Sequence, residues 1–467
     1  MKKPLLVFAL MFAAAGWAED WSRFRGPNGS GVSDATAMPV EFGLKKNMVW
    51  RSEVPFGRSS PILIAKCVII TGSEGPKLVT MCLDRATGKV MWKRELLRDR
   101  TQKIYKGNDS ATPTPASDGK NIFVFFPDFG LVSYGPSGNE RWQLKLGPFD
   151  NFYGISASPI IQGKTLVQVC DQKRGSFIIA VDTDTGRVQW RKERKDANLA
   201  YATPIIWKSE SGRLQVIVPG TYRIDAYALD SGENVWWVGK QGTSPIGTPV
   251  LANGLIYATS WGADKPEYPA WDVIAGQLDK NKDGKISAEE AAASPQLGDH
   301  FGWADRDGDG FLTATEWAEI LRESVSEYGL AAVKAGGLGD QTEHHAVWRY
   351  KKEYSAVTSP LIYQGVLYIV KDGGIVTSLN PATGEVLKTG RLKDAIEAYF
   401  TSPIAADGKV YLISNDGKVS VLKAGAQWEV LVVNDLGEEC QATPAIGDKA
   451  IYIRTAKALY RFSSNVN

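Results

Sequence analysis

Short runs of alternating apolar and polar residues recur along the whole chain. Leu166-Val167-Gln168-Val169, Leu255-Ile256-Tyr257-Ala258, Val366-Leu367-Tyr368-Ile369 and Lys409-Val410-Tyr411-Leu412 are examples. A period of two in β-branched and aromatic residues marks half-buried strands. Each run follows a hydroxyl–proline pair: Ser60-Pro61, Thr112-Pro113, Ser158-Pro159, Thr203-Pro204, Thr248-Pro249, Ser359-Pro360, Ser402-Pro403 and Thr443-Pro444. The pairs are evenly spaced except between Thr248 and Ser359, where an insertion of about 66 residues interrupts an otherwise roughly 45-residue repeat.

Each unit continues alike. A third strand ends in an acidic turn, as at Leu83-Asp84, Val181-Asp182, Leu229-Asp230 and Leu379-Asn380. Asp or Asn closes such a turn with its own side chain, and a glycine supplies positive φ. A tryptophan then follows the glycine, in Gly88/Trp92, Gly138/Trp142, Gly186/Trp190 and Gly232/Trp236. Gly425/Trp428 is one residue shorter, and Lys388 takes the tryptophan place in the sixth unit. The tryptophan is a large apolar plate suited to packing between neighbouring sheets. Four antiparallel strands cannot bury both faces alone, whereas a radial array of such sheets can. The expected fold is therefore all-β, an eight-bladed β-propeller of four-stranded antiparallel blades. The last unit supplies three strands, so Met48-Val49-Trp50-Arg51-Ser52 is expected to complete blade eight and close the ring.

The insertion falls in blade five, over residues 262–327, and divides the propeller into residues 19–261 and 328–467. It carries two twelve-residue loops that fit D-x-[DN]-x-[DN]-G-x5-E at every defining position, which predicts a small α-helical EF-hand pair. Calcium is a hard cation that takes six to eight oxygens from positions 1, 3, 5, 7, 9 and 12 of such a loop. The first loop offers Asp279, Asn281, Asp283, Lys285 (through its carbonyl), Ser287 (through water) and Glu290. The second offers Asp305, Asp307, Asp309, Phe311 (carbonyl), Thr313 (water) and Glu316. Gly284 and Gly310 allow the sharp turn, and Ile286 and Leu312 are expected to pair as a short bridge. Apolar residues at helical spacing, Trp271, Ile274 and Leu278 before and Trp317, Ile320 and Leu321 after, predict flanking helices. Two calcium ions in a permanently loaded, structural role are the expectation.

Charge adds an exclusion. The chain has 54 basic and 52 acidic residues, and Lys2 and Lys3 account for the excess. A neutral balance without a basic run leaves no footprint for nucleic acid. The amino terminus reads as a cleaved signal peptide over residues 1–18: Lys2-Lys3, an apolar stretch from Leu5 to Ala15, then Gly16-Trp17-Ala18. No other segment is apolar enough to span a membrane, so a periplasmic or secreted product is expected. Cys67 and Cys82 flank a turn near Glu74-Gly75 and are placed opposite each other on a hairpin, where a disulfide is one option and free thiols the other. Cys170 and Cys440 read as buried small hydrophobes.

Catalytic motifs are scarce. His300, His344 and His345 lack metal-ligand spacing, and no HExxH, GxSxG, P-loop or GxGxxG pattern occurs. Asp128, Asp150, Asn151 and Tyr153 sit at two blade connections and either line a pocket on one face or simply pack the loops.

The unit ending Ala180-Val181-Asp182-Thr183-Asp184-Thr185-Gly186-Arg187-Val188-Gln189-Trp190 resembles the repeat of pyrroloquinoline-quinone (PQQ) propellers. With the opening Trp21-Ser22-Arg23-Phe24-Arg25-Gly26-Pro27-Asn28-Gly29-Ser30-Gly31 and the EF-hand insertion, the chain is similar to secreted PQQ-binding-like propellers and to the BamB outer-membrane assembly scaffolds. The resemblance implies two functions. One is a non-catalytic scaffold that binds a protein or glycan ligand on a propeller face. The alternative is a PQQ-dependent oxidoreductase, whose adjacent-cysteine disulfide has no counterpart in this sequence.

Overall fold

The computed structural model describes residues 21–102, 104–105, 108–262, 268–298 and 301–464. The expected leader and His300 lie outside them. Eight sheets, each with four antiparallel strands, form the ring, most of them from strands consecutive in the chain. Blade one runs Ile62–Ile64, Cys67–Glu74, Lys77–Asp84 and Val90–Leu97, and the other blades repeat that order. Second and third strands are buried almost throughout, whereas fourth strands are largely exposed around one buried tryptophan, as the pattern eeBeee of Val188–Glu193 shows. The core lies between blades: Val167, Val169 and Trp190 of blade three cluster with Val216, Val218 and Tyr227 of blade four.

Closure follows the expectation. Met48–Glu53 pairs antiparallel with Ala458–Ser463, so one blade joins both ends of the chain. Trp50 then packs on blade one as the other blades' tryptophans pack on their neighbours.

Two contacts repeated at the seams explain the sequence signature. In the first, an indole lies over the turn glycine of the next blade and its Nε1–H donates to a carbonyl there. Trp50 reaches Arg85, Trp92 reaches Pro136, Trp142 reaches Thr183 and Trp190 reaches Leu229, at 2.9–3.0 Å. A Cβ on Gly88, Gly138, Gly186 or Gly232 would lie within 2.7 Å of that ring, and each has φ near +70° to +78°. In the second, a hydroxyl of the next blade accepts a backbone N–H across the inner rim: Ser60 N–H to Thr114, Thr114 to Ser158, Ser158 to Thr203, Ser359 to Ser402 and Ser402 to Thr443. This rim corrects the sequence register in blade two. The equivalent pair is Thr114-Pro115, not Thr112-Pro113, because the Thr114 hydroxyl makes the link.

Blade five departs from the repeat. Its third strand, Gly329–Lys334, leads not into an acidic turn but into a longer loop holding Gly339–Asp340 and the helical turn Thr342–His345. Gly339–Asp340 pairs in parallel with Trp236–Trp237, giving blade four a fifth strand. Trp236 therefore turns its Nε1–H to Gln215 of its own blade, at 2.8 Å.

Candidate calcium loops and channel mouth

Between Ser260 and Gly329 the chain forms helix Trp271–Leu278, short helices at Ala288–Ala291, Pro295–Gly298 and Phe301–Ala304, and helix Ala314–Ser324. Ile274, Leu278, Ile286, Leu312, Trp317 and Ile320 form a core separate from the blades. Ile286 pairs with Leu312 and Ser287 with Phe311, which joins the loops back to back.

Within each loop, backbone N–H groups turn the acidic oxygens inward. Asp279 accepts from Lys282 at 2.7 Å and Gly284 at 2.9 Å, and Asp305 accepts from Gly308 at 2.7 Å and Gly310 at 3.0 Å. Asn281 accepts from Asp283, and Asp309 from Phe311, both at 2.9 Å. Glu290 and Glu316 are each held by a helix capping box with Ser287 or Thr313. The Ser287 N–H and hydroxyl, with the Lys280 N–H, hold the Glu290 carboxyl down at about 2, so it stays ionised. Ligand oxygens of Asp305, Asp307 and Asp309 lie within 4.8 Å of one another. A cation between like charges that close would relieve their repulsion, and an all-oxygen set suits a hard one. The donor chemistry of both loops fits calcium. Arg322 ties the insertion to the ring, stacking over Tyr222 at 4.9 Å, and the Tyr222 hydroxyl meets Glu323 at 3.4 Å.

The ring has two unlike ends. The segment from Trp21 to Ser33 crosses one end of the channel. The Leu63 N–H donates to the Trp21 carbonyl, Ser117 to Ser22 and Ala405 to Gly31, bonding inner strands of blades one, two and seven. Arg23 donates to the Pro204 carbonyl at 2.6 Å and Arg25 to that of Pro360 at 2.8 Å. Burial pushes both guanidiniums down to about 9.

Among the described residues no segment crosses the other end. Its funnel, about 200 Å³, is lined by Ser60, Thr114, Ser158, Thr203, Ser359, Ser402 and Thr443, and Phe24 of the crossing segment reaches it. Beside it rises an aromatic rim. Tyr153 meets the lining Tyr201 edge-on at 5.7 Å, and Tyr105 and Phe152 pack on Tyr153 at 5.4 and 4.9 Å. Phe152 is 61% exposed, Tyr105 51% and Tyr153 46%.

The structure separates the residues that the sequence grouped at the blade connections. Tyr153 joins the rim. Asp128 is buried and takes Arg98 at 3.1 Å and the Ser110 hydroxyl at 2.5 Å. Asn151 is buried and donates to the Asp171 carbonyl at 2.9 Å. Asp150 accepts the Lys173 N–H on its carbonyl and is not among the funnel's lining residues. His345 meets the Lys334 carbonyl at 2.9 Å and His344 borders an outer groove, and among the described residues neither joins a cluster of metal-binding side chains. Tyr105, Phe152 and Tyr201 were not legible as a site, because no spacing links three loops.

A quinone bearing three carboxylates, as PQQ does, does not fit this lining. Among the described residues its one cationic side chain, Arg58, is already paired with Asp109 at 3.2 Å and Gln441 at 2.5 Å.

Comparison with known proteins agrees with the fold. The crystal structure of BamB from Moraxella catarrhalis is 15% identical and superposes over 89% of this chain and 98% of that one, with TM-score 0.54. The quinohemoprotein alcohol dehydrogenase of Comamonas testosteroni is 12% identical over 95% of this chain and 80% of that one, with TM-score 0.58. The computationally designed Ika8 protein is 11% identical over 89% and 99%, with TM-score 0.54. At these identities the likeness is one of fold. No curated protein sequence matches the chain. A model described as EF hand matches residues 276–290 and 299–321. The family model described as outer membrane protein assembly factor BamB matches residues 75–261 and 340–464, most of the chain, and to that family of PQQ-type repeat propellers the chain belongs.

Proposed function

We propose that the chain is exported and works as a calcium-loaded binding scaffold, with the open mouth of the ring receiving a protein partner. The observation that carries this reading is the asymmetry of the channel. One end is crossed by the amino-terminal segment, and the other presents exposed Tyr105, Phe152 and Tyr153 beside a rim of hydroxyls. Rigid aromatic side chains on a fixed scaffold are the usual anchors of protein recognition. The family's description as an assembly factor supports a protein partner over a glycan. The insertion leaves blade five between its second and third strands and meets Tyr222 of blade four, and none of its described residues lines the funnel, so its calcium is assigned to stabilising the scaffold.

The test compares the intact chain with a Tyr105→Ser, Phe152→Ser, Tyr153→Ser variant in affinity capture from the envelope of the producing cell. The expected outcome is a defined partner retained by the first and lost by the second, at equal thermal stability. A partner bound equally by both moves the site away from the mouth. Turnover of alcohols or sugars with added PQQ and calcium, read by dye reduction, would overturn the scaffold reading.

A further inference from the structure

Three sulfur atoms meet in blade one, at its seam with blade two and apart from both the mouth and the calcium loops. The Met91 sulfur lies 3.8 Å from Cys67 Sγ and 3.7 Å from Cys82 Sγ, so it sits between the two thiols. All four cysteines are free thiols. The hairpin places Cys67 across from Asp84 and Cys82 across from Ile69, so the thiols are diagonal neighbours rather than directly opposed. Met91 comes from the next strand. It is the unpaired residue of a β-bulge, between Val90 opposite Leu83 and Trp92 opposite Cys82. A bulge re-aims the side chain it adds.

The fold itself brings these positions together. Blade three has the same bulge, and its residues equivalent to Cys67 and Met91 are Thr165 and Gln189, whose side chains hydrogen-bond at 3.0 Å. Blade one fills the same geometry with sulfur.

Both distances to the Met91 sulfur have the size of a metal site. An ion about 2.3 Å from each of three sulfurs in one plane holds them about 4 Å apart. Two thiolates and a thioether form a soft donor set that selects copper(I). Zinc prefers four ligands and harder donors. The carboxylate across from Cys67, Asp84, has its Oδ1 engaged by the N–H groups of Ala86 and Thr87 and by the Thr87 hydroxyl. We propose that Cys67, Cys82 and Met91 form a trigonal copper(I)-binding site. Binding forms three Cu–S bonds and releases the two thiol protons to solvent. Met91 is half exposed and Cys82 fully buried, so the ion is taken up from the blade's outer surface and shielded from water.

The experiment titrates the reduced, calcium-saturated chain with copper(I) without oxygen, against a chromophoric copper(I) chelator. One ion per chain is expected to leave the chelator, with release of two protons and a thiolate-to-copper absorption in the ultraviolet. Cys67→Ser and Cys82→Ala should each abolish transfer. Alanine already fills the place of Cys82 in blade three, as Ala180, so that variant keeps the fold. Met91→Leu should weaken binding by more than the roughly 10-fold that outer-shell partners are worth. Cys170→Ser should change nothing, since Cys170 is buried in a different cluster. Three results overturn the proposal: transfer that persists in C82A, tighter binding of zinc than of copper(I), or a chain that isolates two hydrogens lighter and draws no copper once reduced.

Discussion

The ring and the insertion are held together by opposite means. The ring buries apolar faces between blades, and its seams repeat an indole over a glycine and a hydroxyl under an N–H. Its stability is spread over many similar contacts, as in other radial repeats. The insertion has a small core of its own and packs carboxylates side by side, so on the function proposed above its order depends on a cation. On that reading one region is self-sufficient and the other conditional, although both lie on one chain.

The strongest way to break this contrast is to open the ring. Deleting residues 19–55 removes Trp21, Arg25, Phe42 and Trp50, all buried, together with the closing strand. Cooperative thermal unfolding of the sheets is expected to be lost, while calorimetry still finds calcium binding. An unchanged melting curve would mean that the ring does not depend on that closure.

A single charge comes next. Arg194 is buried between blades three and four and binds Asp171 at 2.8 and 3.1 Å and Asp225 at 3.2 Å. Arg194→Met leaves the buried Asp171 carboxylate without its partner, while Asp225 keeps Arg223, and is expected to cost about 3–5 kcal/mol, read from the urea midpoint.

Calcium removal should act on the insertion alone. A chelator is expected to raise hydrogen exchange over residues 268–327 and leave the blades protected. At free calcium 100 times its dissociation constant, one site contributes about 2.7 kcal/mol to the order of that region. Glu290→Gln with Glu316→Gln should abolish the two-ion calorimetric signal, and retained binding would refute the ligand assignment.

The smallest effect sharpens the account of the seams. Gly138→Ala and Gly254→Ala both force a side chain into positive φ, at about 1–2 kcal/mol. A Cβ at Gly138 also strikes Trp92, whereas Gly254 faces open space. Gly138→Ala should therefore cost about 1–3 kcal/mol more. Equal losses would remove the indole from the seam.

Much of this was legible because each blade writes its own instructions. Alternation, the turn glycine and Trp92, Trp142 or Trp190 recur in one order, and local turn chemistry sets each hairpin. The calcium loops were legible for a related reason. All twelve candidate ligands lie within two short segments, so their spacing carries the geometry. Legibility failed where two local solutions were equivalent. Thr112-Pro113 and Thr114-Pro115 read alike, and the contact to Ser158 of the next blade separates them.

By itself the sequence determined the repeat, the number of blades, the closing strand and the position of the EF-hand loops, since each is a short-range pattern repeated or confined to a few residues. Tertiary structure alone decided that Trp21 to Ser33 crosses one end of the channel, that Gly339–Asp340 joins blade four, that Tyr105, Phe152, Tyr153 and Tyr201 gather at the mouth, and that Met91 turns toward two cysteines. Each of these depends on how loops or a bulge meet across the fold. Such contacts leave no period in the chain, because the ring, not the neighbouring residue, sets the distance between them.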